Sequence, residues 1–286
     1  MKVPSSIVPY IQVAPIALIL LVFFGIPLVT VVVVSFFDYV NFQSVPAFIF
    51  YNYEEVFTSG LTITLYLTML KYSAIVWLIT LIIGFTVSYF LVFHVQSLLW
   101  KIFLFLVCTV PFWTSNIIRM ISWIPVLGRN GLVNQTLMSL GLIDEPLDFL
   151  LFSDFSVIVA YVHLFTLFMV VTLFNSMARI DPAILEAAVD AGASRWQVIT
   201  QVVIPLTRTG IALGSIFVVT LVMGDFFVVK IMSGGQSSSA VYAMWNEISM
   251  LQYPSAAASA VILLIVVVLM VAAILRIVDV RKELSG

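Results

Sequence analysis

Long apolar runs separated by short polar segments dominate this chain. About 20 apolar residues are enough for a helix to cross the hydrocarbon core of a bilayer. The first run, Ala14 to Phe37, is longer than the apolar part of a signal peptide, and no small-residue cleavage site follows it. The pattern predicts an all-α membrane protein with six transmembrane helices in a single domain, residues 1–286. The predicted spans are residues 14–37, 72–93, 100–123, 156–177, 207–229 and 256–277.

Two predicted spans contain residues that are unusual at membrane depth. Pro111 in the third span predicts a kink, which either borders a cavity or is purely structural. Asp225 is predicted to lie toward the outer end of the fifth span, because it follows Arg208 by 17 residues, roughly 25 Å of helix. It either faces a path for a cationic solute or pairs with Arg119 or Lys230. Arg119 has the same alternatives: it faces the path, or it pairs with a charged residue or anchors the outer mouth.

One amphipathic, polar stretch, residues 181–206, interrupts the apolar pattern. Asp181 before a proline is a good N-cap, and Gly192 fits the left-handed position that ends the first helix. Ser194 with Gln197 three residues later is a capping box that starts a second helix. The stretch is therefore predicted to form a helix, a glycine turn and a second helix.

The sequence of this hairpin also predicts where the second helix ends and which face of the first helix is closely packed. The second is expected to end at Pro205, which cannot donate a backbone hydrogen bond. The first places Ala183, Ala187 and Ala191 on one face, where small side chains let another surface approach closely. That surface is either another protein or the ends of the chain's own helices.

The composition agrees with a membrane protein. Hydrophobic residues make up 63% of the 286 residues and charged residues 9%, against roughly 25% in a soluble domain. Mean hydropathy is +1.19. The net charge of −2 includes no basic block, which gives nucleic-acid binding no support. The single cysteine, Cys108, cannot form an internal disulfide and is interpreted as a small core residue.

The basic residues predict the orientation, because they are enriched on the cytoplasmic side. With six spans and both termini inside, eight of the twelve lysines and arginines are cytoplasmic. The same orientation puts residues 181–206 in the cytoplasm. The eight are Lys2, Lys101, Arg179, Arg195, Arg208, Arg276, Arg281 and Lys282.

Motifs for catalysis or nucleotide binding are absent from the sequence. There is no G-x-x-x-x-G-K-[ST] loop, so the chain is not expected to bind ATP itself, and no H-E-x-x-H or G-x-S-x-G occurs. His163 is interpreted as a satisfied interior histidine. No catalytic residue and no metal site is predicted, and the chain is not expected to be an enzyme.

A transport role leaves three candidate residues for a solute path: Trp113, Asp225 and Glu247. Trp113 could instead be an interfacial anchor, and Glu247 could be solvated at the outer end. A transporter that works without an ATPase is a second interpretation. It would show paired ionisable groups in the membrane or inverted repeats, and no convincing repeat relates the two halves.

The amino-acid sequence of the hairpin resembles a known motif. Glu186-Ala187-Ala188, three residues, Gly192, nine residues and then Val202-x-Ile204-Pro205 resembles the EAA loop of permease subunits in bacterial ATP-binding-cassette (ABC) importers. Val202 and Ile204 replace the Ile and Leu of that pattern conservatively. In that family the loop docks into a groove on a separate ATPase subunit. The resemblance implies an ATPase-coupling role for Glu186, Ala187, Ala188, Asp190, Gly192 and Ala193.

Other segments resemble one particular group of these permeases. Residues 110–115 (VPFWTS), Arg119, Trp123 and residues 127–132 (LGRNGL) look like the third-helix region of spermidine/putrescine-type permeases, of the first-subunit kind. Residues 223–226 (MGDF), followed by two glycines, look like that group's "GDF…GG". Related permeases serve opines, thiamine, phosphonates and ferric iron, so these segments leave the solute open. An acidic outer face favours a cation.

The resemblance implies an architecture and a set of partners. The fold is expected to be that of a type I ABC importer permease in the bacterial inner membrane, with a cytoplasmic coupling loop. The expected partners are a second permease subunit, two ATP-binding subunits, a periplasmic substrate-binding protein and membrane lipid. No cofactor is expected in this chain, because ATP and Mg²⁺ would bind the partner ATPase subunits.

Overall fold

A computed structural model describes residues 8–277, and within them the backbone is mostly helical. Lys2, Arg281 and Lys282, and with them the predicted placement of both termini, lie outside the described residues. Three π-helical stretches, Leu21–Gly25, Phe90–His94 and Val198–Val203, and two 3₁₀ turns, Val110–Trp113 and Asp148–Leu150, adjoin the α-helices. In chain order the α-helices are α1 Val8–Leu20, α2 Ile26–Val34, α3 Tyr51–Thr58, α4 Gly60–Tyr89, α5 Leu98–Thr109, α6 Asn116–Ile121, α7 Ile124–Leu127, α8 Leu132–Ser139, α9 Asp154–Met177, α10 Pro182–Asp190, α11 Arg195–Gln197, α12 Ile204–Leu206, α13 Arg208–Gly224, α14 Phe227–Met232, α15 Ala240–Ser249 and α16 Tyr253–Ile277.

The described residues form two compact units. The first contains the chain up to Ile63 together with Ala243–Val266, and the second contains Thr64–Tyr242 together with the residues from Val267 onward. The amphipathic stretch 181–206 and all residues of α9 therefore belong to the second unit.

The first unit includes structure that the sequence pattern did not predict. Residues 38–60, which lie between the first two predicted spans, form an antiparallel hairpin of β1 (Asp38–Val40) and β2 (Gln43–Val45), followed by α3. Asn52 of α3 is buried and donates hydrogen bonds of 2.9 Å to the carbonyls of Ser35 and Phe37. These bonds satisfy carbonyl groups beyond the end of α2 and hold α3 against it.

The core of the second unit is built around α9. Ten of its residues are buried, including Val157, Tyr161, Met169 and Leu173, so this apolar helix is covered on most of its surface. Helix α13 packs closely along it. A Cβ at Gly210 would lie 2.5 Å from Cβ of Ser176, which shows that this contact requires glycine.

Among the described residues, four helices are long and apolar enough to cross a membrane, and the number rises to six if each of two bent pairs is one span. The four include a helix that begins well before the predicted second span. Lys71, just before the first residue of that predicted span, lies within α4. The four are Gln12–Val34, Gly60–His94, Asp154–Met177 and Tyr253–Arg276, and the bent pairs are Leu98–Trp113 with Asn116–Ser139 and Arg195–Leu206 with Arg208–Gly224.

The predicted third span is not one continuous helix. It bends by 95° between Trp113 and Asn116. Pro111 sits in the 3₁₀ turn before the bend, and Ser115 caps α6 by accepting a hydrogen bond from the Ile117 amide at 3.3 Å. The break is therefore stronger than the predicted proline kink, because a new helix begins after it.

The predicted fifth span is also interrupted. Helix α13 ends at Gly224, and Asp225 adopts an extended conformation with φ −97° and ψ 129°. A separate short helix, α14, follows. The apolar pattern predicted that Asp225 lies within a continuous spanning helix, and this prediction is wrong.

Candidate functional site

The stretch 181–206 folds as the predicted hairpin, and its own residues cap its first helix. The Asp181 carboxylate accepts a hydrogen bond of 2.9 Å from the Ala183 amide, and Pro182 occupies the first position of α10. The side chain thereby satisfies one of the amides that a helix N-terminus leaves unpaired.

A glycine turn ends α10 in the predicted way. Gly192 has φ +86°, and its amide donates to the Val189 carbonyl at 2.9 Å. The Ala193 amide donates to the Ala188 carbonyl at 3.0 Å. These two bonds form a Schellman motif, which requires a residue in the left-handed conformation at the glycine position.

The second helix begins with a reciprocal capping box. The Gln197 amide donates to Ser194 Oγ at 3.3 Å, and the Ser194 amide donates to Gln197 Oε1 at 2.7 Å. The helical segment that begins at Arg195 continues through a π-helical stretch and α12 and ends at Leu206, one residue beyond Pro205. It meets α13 at a bend of 70°, so the second helix ends close to the residue where the proline was expected to end it.

The hairpin packs one side on the core of the second unit and leaves the other side open. Leu185, Ala188 and Ala193 are partly buried and pack against that core. The six predicted coupling residues are therefore divided between the two sides. Those on the open side are Glu186, Ala187, Asp190 and Gly192.

Several large apolar side chains are also exposed on the hairpin, and three of them lie in α10 and α11. Trp196 is 71% exposed, Val189 59% and Ile184 45%. The coupling residues predicted from the motif are small or charged, and they do not include these three apolar residues. A tryptophan inside a capping box, in a polar segment, was the available signal. Exposed large apolar side chains, when they form a patch, mark a surface that another protein can cover.

Asp225 is fixed by contacts within the second unit. Its Oδ1 atom accepts a hydrogen bond of 2.8 Å from the Val228 amide and one of 3.4 Å from the Tyr161 hydroxyl. The Tyr161 hydroxyl also lies 3.2 Å from the Asp225 carbonyl oxygen. Asp225 therefore caps α14 and bridges it to α9, which is a structural role beyond the two that its sequence position predicted.

Trp113 lies at the last position of the 3₁₀ turn before the 95° bend. Its side chain is 75% exposed. This exposure fits either of the two predicted roles, a path residue or an interfacial anchor, because both need a ring that the chain itself leaves uncovered.

Glu247 borders a polar cavity of about 220 Å³ in the first unit. Its Oε1 atom accepts a hydrogen bond of 3.2 Å from Ser255, and its Oε2 atom is buried without a hydrogen-bond partner. The cavity is lined by three carboxylates, two tyrosines and three neutral polar residues. They are Asp38, Tyr39, Tyr51, Asn52, Glu55, Glu247, Gln252 and Ser255.

The electrostatics of this cavity favour a cation. Its lining contains three acidic residues and no basic one. Burial raises the pKa of Glu247; the hydrogen bond from Ser255 lowers it, and nearby Glu55 raises it. A cation in the cavity would stabilise the charged form of Glu247 and would give Oε2 a partner.

Comparison with known proteins identifies the family. The permease protein PotB of the spermidine/putrescine transport system of Haemophilus influenzae is 33% identical over 238 residues, which are 82% of this chain and 82% of that protein. This chain belongs to the PotB family of permease proteins. The PotB protein of Escherichia coli K12 is 35% identical over 168 residues, 59% of this chain and 60% of that protein. No protein-family model matches the chain.

The fold agrees with membership of the PotB family. A chain in the crystal structure of a bacterial alginate ABC transporter, in complex with an alginate pentasaccharide-bound periplasmic protein, superposes with a TM-score of 0.74. The superposition covers 93% of this PotB-family chain and 92% of that chain at 18% sequence identity. The described residues thus share the mostly helical fold of that transporter's chain.

Proposed function

We propose that this chain is a permease subunit of an ATP-driven importer of polyamines, such as spermidine or putrescine. The observation that carries the proposal is the 33% identity, over 82% of both chains, to a spermidine/putrescine permease protein. Similarity spread over most of both sequences supports a shared transport role more strongly than a local motif would.

The acidic cavity of the first unit supports a cationic solute. A polyamine carries several ammonium groups at neutral pH, and each is attracted by carboxylates and by tyrosine faces. The cavity contains both kinds of group, with a buried oxygen of Glu247 that has no partner. Glu247 is therefore our first candidate for a solute-contacting residue, and Trp113 and Asp225 stay as further candidates for the path.

The hairpin 181–206 would connect this chain to its source of energy. We infer that its open side docks on a separate ATPase subunit, with Glu186 making a polar contact and Gly192 shaping the turn. Two ATP-binding subunits would hold ATP and Mg²⁺. A second permease subunit would complete the path, and a periplasmic binding protein would deliver the solute.

The proposed mechanism is a rigid-body switch. ATP-driven closure of the two ATPase subunits would move the docked hairpins and turn the cavity between the two permeases outward. This arrangement requires both termini and the hairpin to be cytoplasmic, in the bacterial inner membrane. Since the hairpin packs on the core of the second unit, a displacement of the hairpin would be transmitted to α9 and α13.

The test is the ATPase activity of the reconstituted complex with its binding protein, in the presence of different solutes. The panel contains spermidine, putrescine, an opine, thiamine, a phosphonate and ferric iron. Stimulation by a polyamine alone is the expected result. Stimulation by another solute would keep the permease role and reject the polyamine. Transport without any copurifying ATPase would contradict the importer proposal altogether and favour a secondary transporter.

A further inference from the structure

A buried arginine in the second unit lacks a full set of hydrogen-bond partners. Arg119 in α6 is only 6% exposed, which does not fit a solvated anchor at the outer mouth, one of the roles predicted for it. Its Nη2 atom donates to Asn116 Oδ1, one helical turn earlier, and its Nε atom is buried with no hydrogen-bond partner. A guanidinium is always charged at physiological pH, so this group cannot relieve its burial by losing a proton.

A counter-ion for Arg119 is also missing from its surroundings. The ion pairs found among the described residues are Lys71 with Asp154 and Arg129 with Asp148, and neither includes Arg119. Removing a charge from water without a partner costs several kcal/mol. Among the described residues, Arg119 Nε therefore lacks a hydrogen-bond acceptor, and an anionic acceptor would stabilise the guanidinium most.

A cavity beside Arg119 has room for such an acceptor. Its volume is about 280 Å³, well above the ~30 Å³ that a water molecule occupies in the liquid. No carboxylate lines it, and most of its wall is apolar, which strengthens any charge pair formed there. The lining residues are Val87, Cys108, Pro111, Phe112, Arg119, His163, Thr166, Leu167 and Val170.

His163 gives this wall a second polar group with a defined hydrogen-bonding state. Its Nδ1 atom accepts a hydrogen bond of 3.0 Å from Trp123 Nε1. The neutral ring then carries its hydrogen on Nε2, as a donor. The polar groups of Arg119 and His163 are therefore matched to an acceptor and not to an ammonium group.

The depth of the cavity narrows the possible occupants. His163 and Val170 are the tenth and seventeenth residues of the 24-residue helix α9. At 1.5 Å per residue, both lie at least about 10 Å along the axis from either end of that helix. Lipid phosphates lie outside the ~30 Å hydrocarbon core, so they do not reach this level. A carboxylate at this depth comes from a protein chain or from a transported solute.

We propose that this cavity receives a carboxylate side chain of the second permease subunit, which pairs with Arg119. The inference rests on the proposed function, since that function supplies the second membrane-embedded chain. A polyamine would be repelled by the guanidinium. The exposed rings of Phe112 and Trp113, 49% and 75% exposed, extend the same region as apolar surface that a neighbouring chain can cover.

Cys108 provides a first test, because it is the only cysteine of the chain and lines the cavity. N-ethylmaleimide would be applied to membranes that contain this chain alone or together with a cysteine-free second permease and the ATPase. The modification rate of Cys108 should fall by about tenfold or more in the complex, since a covered thiol is unreactive. Equal rates would overturn the proposal, as would protection that requires an added anionic solute.

Variants of Arg119 provide the second test, with retention of the second permease on the tagged chain as the measurement. Arg119→Gln should reduce retention on the order of thirtyfold, and Arg119→Lys should retain most of it. Arg129→Gln is the matched control, because Arg129 is exposed and its ion pair is on the surface. One membrane-embedded Asp or Glu of the second permease, changed to its amide, should cause the same loss and no further loss in the double variant.

The outcomes separate this inference from the proposed function. If the wild-type chain retains a second permease and Arg119→Gln retains it equally well, only the Arg119 pairing is wrong. If the wild-type chain retains no second permease, the proposed assembly fails and the pairing fails with it. Because the Cys108 test uses the unmodified chain, misfolding of an Arg119 variant cannot hide either result.

Discussion

At the scale of single residues, Gly192 is the position where backbone conformation matters most. Its φ of +86° is disfavoured for any residue with a Cβ, but an added Cβ would meet no atom within 4 Å. Gly192→Ala should therefore act through the backbone alone, at about 1–2 kcal/mol. We expect a fall in affinity for the ATPase of roughly five- to thirtyfold, measured by binding of the purified ATPase to membranes.

Gly60→Ala is the matched control for this variant. Gly60 also has open space around its Cβ position, and its φ is not in the left-handed range. Binding of the ATPase should be unchanged by that substitution. Unchanged binding in Gly192→Ala as well would contradict the proposed role of the turn.

Glu247 leads to a prediction about pH. Because burial raises its pKa, Glu247 takes up a proton at a higher pH than an ordinary glutamate, whose pKa is about 4.3. Cation attraction is present above the raised pKa and is lost as the pH falls through it. Transport into proteoliposomes should thus weaken as the outer pH is lowered from neutral, before ordinary glutamates are protonated.

Glu247→Gln tests this assignment. The variant should transport polyamine more weakly at neutral pH. It should also lose the upper step of the pH profile, which is the decrease in transport at pH values above the pKa of an ordinary glutamate. Asp38 faces the same cavity, and Asp38→Asn should lower transport and leave that upper step in place. Glu55→Gln should lower transport and move the step to lower pH, because Glu55 raises the pKa of Glu247. A wild-type pH profile in Glu247→Gln would show that another group titrates.

At the scale of elements, Asp154 joins three parts of the second unit. Its carboxylate at the start of α9 accepts hydrogen bonds from Lys71 Nζ at 2.7 Å and from the Tyr72 hydroxyl at 2.6 Å, both in α4. It also accepts one from Ser237. The loop 233–239, rich in glycine and serine, is thereby tied to two helices.

Asp154→Asn should loosen this junction. Tyr72 is 1% exposed, so a weakened bond to its hydroxyl matters more than the partly exposed ion pair with Lys71. We expect a loss of about 1–3 kcal/mol in stability, measured by thermal unfolding in detergent, and faster proteolysis in the loop 233–239. Asp148→Asn, whose partner Arg129 is exposed, should change stability by less than about 0.5 kcal/mol. Equal effects of the two variants would contradict the junction.

The breaks within the third and fifth spans show what apolar patterns can and cannot predict. Hydropathy locates a membrane segment by its length, but it stays high across a bend and so does not report the backbone. The sequence did contain local signals. Ser115 and Asp225 are both of the residue types that cap helices, and each is followed by a new helix.

The hairpin 181–206 was predicted far better than these spans. Its caps are local, because Asp181, Gly192 and Ser194 bond to residues within five positions in sequence. The cavities beside Glu247 and Arg119 were not predictable in that way. Their walls come from residues that are distant in sequence, and only packing brings those residues together.

At the scale of the whole molecule, the chain leaves much apolar surface uncovered. In the candidate span Gln12–Val34, none of the most apolar window is buried inside the chain. Apolar helices in a bilayer can contact lipid or another chain at similar cost, so burial in protein is not needed for this span to be stable. Such a surface is consistent with a subunit that functions within a membrane complex.

The capping of the hairpin 181–206 has a consequence for the kinetics of assembly. Fixing a backbone costs roughly 1–2 kcal/mol per residue, and here that entropy is already lost when the chain folds. An ATPase that docks on this hairpin would meet a rigid surface, with an association rate in the ordinary range of about 10⁵–10⁷ M⁻¹s⁻¹. The order in which subunits join would then follow their concentrations in the cell, and not the time that a loop needs to fold.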